Sequence, residues 1–146
     1  MTRLQPGPDL AAEVAAFRAA GNPVMYVQQM LDLPGRDLGV AFVGGSYLAT
    51  YARVQAEGTW KSTTSAGGKY QGVEPDDAII EMAHRAQALF DLDFTCVDVV
   101  ETAAGPMVFE VSAFGGFRGL QEACGVDAAG AYADHVLHAL AQRGPR

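Results

Sequence analysis

Apolar positions along this chain recur at two spacings, and the change from one to the other marks out its elements. Over residues 8–20, Leu10, Val14 and Phe17 fall at helical intervals in an alanine-rich run that Gly21-Asn22-Pro23 ends. Residues 24–31 form an apolar stretch of strand length, followed by a loop with the turn dipeptide Pro34-Gly35. Residues 38–42 and 47–53 read as two strands joined across Gly44-Gly45, a favoured two-residue hairpin turn. Residues 55–71 differ: they have little periodicity, five Ser/Thr residues and Gly67-Gly68, the marks of a long functional loop. Pro75 then opens a helix running to about Phe90, with Ile79, Ile80, Met82, Ala83, Ala86 and Leu89 as its buried stripe. Two further strands follow at 94–101 and 106–112, then a glycine-rich turn over 113–120 and a closing helix over 128–141. This order predicts an α+β fold, a single domain in which an antiparallel β-sheet is flanked by helices.

The last hairpin carries the most chemistry. Side chains alternate faces along a strand, so Cys96, Asp98 and Val100 share one face while Val97 and Val99 share the other. A three-residue loop over 103–105 would set Asp98 opposite Glu110. Val108, Glu110 and Ser112 would then join the Asp98 face, and Met107, Phe109 and Val111 the core. Directly opposed carboxylates repel at the roughly 4.5–5.5 Å between cross-strand Cβ atoms. A hard divalent cation between them removes that penalty. Two solvated carboxylates on an open sheet face would satisfy the same pattern.

Composition narrows the setting. A formal charge of −7 offers no basic footprint, which excludes nucleic acid as an expected partner. No apolar run reaches the roughly 18 residues of a membrane span, and residues 1–8 lack a signal core, so the expected location is cytoplasmic. The two cysteines, Cys96 and Cys124, are then reduced thiols, and no third soft ligand accompanies Cys96 to make a zinc site. His84, His135 and His138 lack helical metal-ligand spacing with a nearby carboxylate and read as surface or interface residues. Phe114, Phe117 and Leu120 read as core or interface, with a role in shaping an acceptor pocket left open.

Four segments in order carry a resemblance: residues 26–31, Gly35-Arg36-Asp37 ahead of a hairpin, Arg53 followed by residues 60–68, and Val97-Asp98 with Phe109-Glu110-Val111-Ser112, running on to Gly125-Val126-Asp127. Together they resemble the C-terminal part of an ATP-grasp ligase of the RimK-like branch, which includes glutamate ligases and lysine-biosynthesis ligases. The resemblance implies an ATP-dependent carboxylate–amine ligase that forms an amide bond through an acylphosphate. Its partners would be a small-molecule or peptide carboxylate and an amino acid or other amine. It implies ATP and Mg2+ (or Mn2+) as cofactors, with Asp98, Glu110 and Ser112 as metal ligands. Arg53 and Lys61 would face the phosphates or the acylphosphate. Gln28, Gln29, Met30 and Leu31 would meet the adenine edge, with Asp37 near the ribose.

This sequence departs from the family pattern at Ser112 and Thr63, where asparagine is usual, at Ala66, where arginine is usual, and at Gly115-Gly116, where Pro-Gly is usual. Residues 1–4 resemble the segment just after the family's glycine-rich nucleotide loop. The chain is thus expected to be the C-terminal lobe of such an enzyme, lacking the N-terminal lobe and inactive by itself. The alternative is an inactive or split lobe acting as a binding or dimerisation module, as a homodimer or with a partner chain that carries the missing lobe.

Overall fold

A computed structural model describes residues 2–4, 6–7, 9–58 and 67–143, with residue 143 described as backbone only. The chain divides into two units, Met1–Asp32 and Leu33–Arg146. In the first, helix α1 spans Leu10–Ala19 and buries no residue. The Asn22 side-chain amide donates to the Phe17 carbonyl and Gly21 N–H to the Arg18 carbonyl, closing the helix end. The apolar stretch over 24–31, expected as a strand, has no regular structure: Val24 and Tyr26 are 85% and 86% exposed. A strand needs a neighbour for its backbone donors and acceptors, and among the described residues this one has no ladder partner.

The second unit is built on a five-stranded antiparallel sheet: β1 Arg36–Val43, β2 Ser46–Val54, β3 Lys69–Gly72, β4 Phe94–Thr102 and β5 Gly105–Ser112. Their spatial order is β3-β2-β1-β4-β5, so β2, β1 and β4 lie in the interior. Helix α2, Asp77–Gln87, packs Ile79 and Ala83 onto one face against Leu38, Val40, Phe42, Ala52, Val97 and Val99. It ends before Leu89 and Phe90, which are exposed, so the helix is shorter than its apolar stripe suggested. Helices α3, Phe117–Cys124, and α4, Ala128–Arg143, lie on the other face. There Leu120 and Ala128 meet Ala41, Tyr51, Phe94 and Cys96. The antiparallel α+β architecture is the one the residue pattern predicts. No described helix is long and apolar enough to cross a membrane.

Two elements depart from expectation. Strand β3 overlaps the end of the region read as a loop, and α3 occupies part of the region read as a glycine-rich turn. Two glycines account for how closely α3 packs on the sheet. A Cβ on Gly72 would come within 2.5 Å of the Ala123 carbonyl oxygen, and one on Gly119 within 2.8 Å of the Tyr51 ring. These glycines bring α3 close to the sheet; they do not turn the chain.

Candidate functional site

The sheet face beneath α3 and α4 gathers the polar residues. One row of paired residues crosses all five strands: Gly72, Tyr51, Gly39, Asp98 and Glu110. On the same face of β1, two residues from Gly39, Asp37 pairs across to Arg53 on β2. Gly39 has no side chain, and a Cβ there would stand 2.6 Å from the Tyr51 ring. The gap admits Tyr51 and leaves room for Arg53 to reach over β1 to Asp98 on β4.

Both hairpins reach this arrangement by the same device. Next to its two-residue turn, β1–β2 pairs Val43 with Ser46 and Phe42 with Tyr47. Leu48 is then skipped, and pairing resumes at Ala41 with Ala49, which brings Asp37 opposite Arg53. In β4–β5 the turn is also two residues, with Thr102 opposite Gly105, and Phe109 is skipped before Asp98 meets Glu110. The expected three-residue loop is therefore corrected: a tight turn plus a bulge gives the same pairing at the carboxylates. The bulge also reverses the expected faces nearer the turn. Val108 packs with the α2-side core, while Met107 and Phe109 are 46% and 43% exposed.

Arg53 is the centre of the cluster. Its Nε donates to Asp37 Oδ2 at 2.7 Å, and its Nη2 contacts that same oxygen and Asp98 Oδ2, the latter at 2.6 Å. Asp37 is 1% exposed, and its Oδ1 is buried with no hydrogen-bond partner. Burial works against the Arg53 cation, but the hydrogen bond to Asp37 and the charges of Asp98 and Asp37 outweigh it and hold the guanidinium protonated. Burial likewise pushes the Asp98 carboxyl up, with Arg53 pulling it back down. Alongside, the Tyr51 hydroxyl lies 3.6 Å from Cys96 Sγ, which lies 3.9 Å from Asp98 Oδ1. Burial first, then the Asp98 charge, pushes the Cys96 thiol up to about 12, and burial raises the Tyr51 phenol as well. Neither group is a nucleophile near neutral pH.

The structure thus brings Asp37, Arg53 and Asp98 into contact, with Glu110 opposite Asp98 and exposed. Ser112 Oγ donates to Glu110 Oε1 at 2.8 Å. Among the described residues no three His, Cys, Asp or Glu side chains converge as a metal-holding group. The pair of carboxylates and the Ser112 hydroxyl nonetheless form an oxygen-only donor set, which fits magnesium, an ion that keeps several of its waters. Lys61 lies outside the described residues, as do Thr63 and Ala66. Gln28, Gln29, Met30 and Leu31 belong to the first unit, in irregular backbone with the first three exposed. Sequence reasoning had not paired Asp37 with Arg53; their opposed positions across a glycine-turn hairpin were the available signal, and the bulge concealed it. Phe114 and Phe117 join Phe94 and Tyr132 in an aromatic cluster, with Phe94–Phe117 centroids 5.2 Å apart.

Comparison with known proteins fits this geometry. The RimK-like ATP-grasp domain matches residues 11–136, and the chain belongs to that family. A probable alpha-L-glutamate ligase of Stenotrophomonas maltophilia (strain K279a) is 34% identical over 123 residues, covering 84% of this chain and 42% of the relative. Probable alpha-L-glutamate ligase 2 of Hahella chejuensis is 28% identical over 131 residues, covering 88% and 43%. The chain therefore spans about two fifths of the length of these curated relatives. The fold is shared with the ATP-grasp ligase PsnB, solved with a phosphomimetic variant of its minimal precursor, Mg and ADP. There the TM-score is 0.58 at 24% identity, over 73% of this chain and 33% of that one. It is shared also with the macrocyclase MdnB from Microcystis aeruginosa, at TM-score 0.55 and 20% identity over 90% and 46%.

Proposed function

We propose that this chain supplies the C-terminal lobe of a cytoplasmic ATP-dependent carboxylate–amine ligase. In the reaction a substrate carboxylate oxygen attacks the γ-phosphorus of ATP and ADP leaves. The amine nitrogen then attacks the acylphosphate carbon, loses its proton and expels phosphate, leaving an amide. The observation that carries this reading is the row in which Asp98 and Glu110 face each other on adjacent strands beside the half-buried Arg53. Phosphoryl transfer asks a protein mainly for charge neutralisation and positioning, and this cluster is made of those parts.

Asp98, Glu110 and Ser112 would hold Mg2+ through oxygen. Bound there, the ion would supply neutralisation of the ATP phosphates. Arg53 contributes a fixed positive charge beside the same carboxylates, and burial limits the water that screens it. Lys61 is a further phosphate contact in this reading, Gln28 to Leu31 the adenine edge and Asp37 a site residue on the ribose side. The names of the curated relatives support an amino acid such as glutamate as the amine. The precursor bound in the solved PsnB complex supports a peptide as one of the two substrates.

The test is magnesium-dependent ADP release by the complete protein presented with amino acids and carboxylate acceptors. Asp98→Asn combined with Glu110→Gln should lower it by about 100-fold or more, the scale seen when a charge-stabilising group is removed from a transition state. Undiminished turnover in that double variant would end the assignment.

A further inference from the structure

We propose that Asp37 is the positioning residue of this site, holding Arg53 in place while Arg53 exchanges partners. With no metal bound, Arg53 Nη2 bridges Asp37 and Asp98. With a cation on Asp98, Arg53 withdraws onto Asp37 alone. The inference rests on the metal-site reading given above and adds a role for two of the chain's own residues.

Three observations carry it. First, Asp37 and Arg53 are cross-strand partners, so the sheet itself holds them opposed. Second, Arg53 spends both Nε and Nη2 on the single oxygen Oδ2 of Asp37, while the same Nη2 also meets Asp98 Oδ2 at 2.6 Å. Third, Asp37 Oδ1 is buried and lacks a partner, in a side chain only 1% exposed. A buried acceptor without a donor is costly, and guanidinium and carboxylate are shaped to pair through two parallel hydrogen bonds. The fork on Asp37 is therefore half made, because Asp98 draws Nη2 away from Oδ1.

A divalent ion at Asp98 competes with Arg53 for Oδ2, since two cations on one oxygen repel. Released from Asp98, Nη2 can turn to the empty Oδ1 and complete the fork while Nε keeps Oδ2. Arg53 then remains at the sheet as a positive charge beside the ion, and no carboxylate is left bare in either state. A lysine would keep the charge but cannot make the two-pronged contact.

Mn2+ binding to the full chain, read from loss of the free-ion electron paramagnetic resonance signal, tests the exchange through a double-mutant cycle. Arg53→Gln removes the competitor and should tighten Mn2+ several-fold. Asp37→Asn leaves Arg53 with Asp98 alone and should weaken it several-fold. In the Arg53→Gln background, Asp37→Asn should change nothing. An equal, additive effect of Asp37→Asn in both backgrounds would mean that Asp37 acts as a remote charge only, and would overturn the inference while leaving the metal site standing. Failure of the wild-type chain to bind Mn2+ would instead remove the metal site and the inference with it. A measurement free of variants follows the Arg53 Nε–H resonance of the wild type as Mg2+ is added. A shift that saturates with the metal supports the exchange, and an unmoved resonance refutes it.

Discussion

Tyr51 lies between two glycines, and each owes its identity to that ring. A Cβ on Gly39 would meet it at 2.6 Å and one on Gly119 at 2.8 Å. With the ring flanked by a β1 glycine and an α3 glycine, it has little room to yield to either substitution. Gly39→Ala and Gly119→Ala should each destabilise the chain by about 1–3 kcal/mol, the usual range for overpacking a filled core, measured by urea unfolding. Wild-type midpoints in both would show that the Tyr51 ring has room to move. At this scale the Asp98–Glu110 pairing was legible, although through an expected three-residue loop and not the two-residue turn and bulge that produce it, and alternation misplaced Val108 and Met107 nearer the turn. Arg53 could be seen as a lone cation, yet its anchor could not, because Asp37 becomes its neighbour only through a bulge that no residue type announces.

Helix α4 shows how a terminus is set locally. Asp127 precedes its first residue, Ala128, and the Asp127 carboxylate accepts the Gly130 backbone N–H at 2.9 Å. A side-chain acceptor at this position satisfies one of the four unpaired donors of a helix start. Asp127→Ala should cost about 1 kcal/mol, seen as a lower denaturation midpoint with an unchanged slope; an unaltered midpoint would show that water serves as well. Long periodic elements were readable in this way: α1, α2, α4 and the two glycine- or alanine-turned hairpins all stand near their expected bounds. Helix α3 was not, because a glycine that permits close packing looks in sequence like one that permits a turn, and β3, with four residues, is too short to show alternation. The opposite error occurred at 24–31, where an apolar run had strand composition but no partner strand among the described residues.

For the whole molecule, charge and extent decide what the site can do. Under the proposed function a chain of net charge −7 would meet ATP, itself an anion, at a face where, among the described residues, Asp37, Asp98 and Glu110 outnumber Arg53. Binding there should depend on a divalent ion, and under the two-lobe reading it should also depend on a second lobe closing over the nucleotide. The 146-residue chain by itself is thus expected to bind Mg-ATP with Kd weaker than about 10⁻⁴ M, under about 5.5 kcal/mol. Micromolar affinity by calorimetry would contradict that reading. The family could be recognised from ordered short segments, whereas the substrate could not, since a fold does not name the molecules it joins. The two skipped residues, Leu48 and Phe109, have a consequence for how this site can be lost. Were either extra residue instead paired into its ladder, Arg53 would face Arg36, or Glu110 would face Val97, with every functional side chain still present in the chain. A comparison of residue identities would count such a protein as intact, although the closing of one bulge had put its charges out of phase.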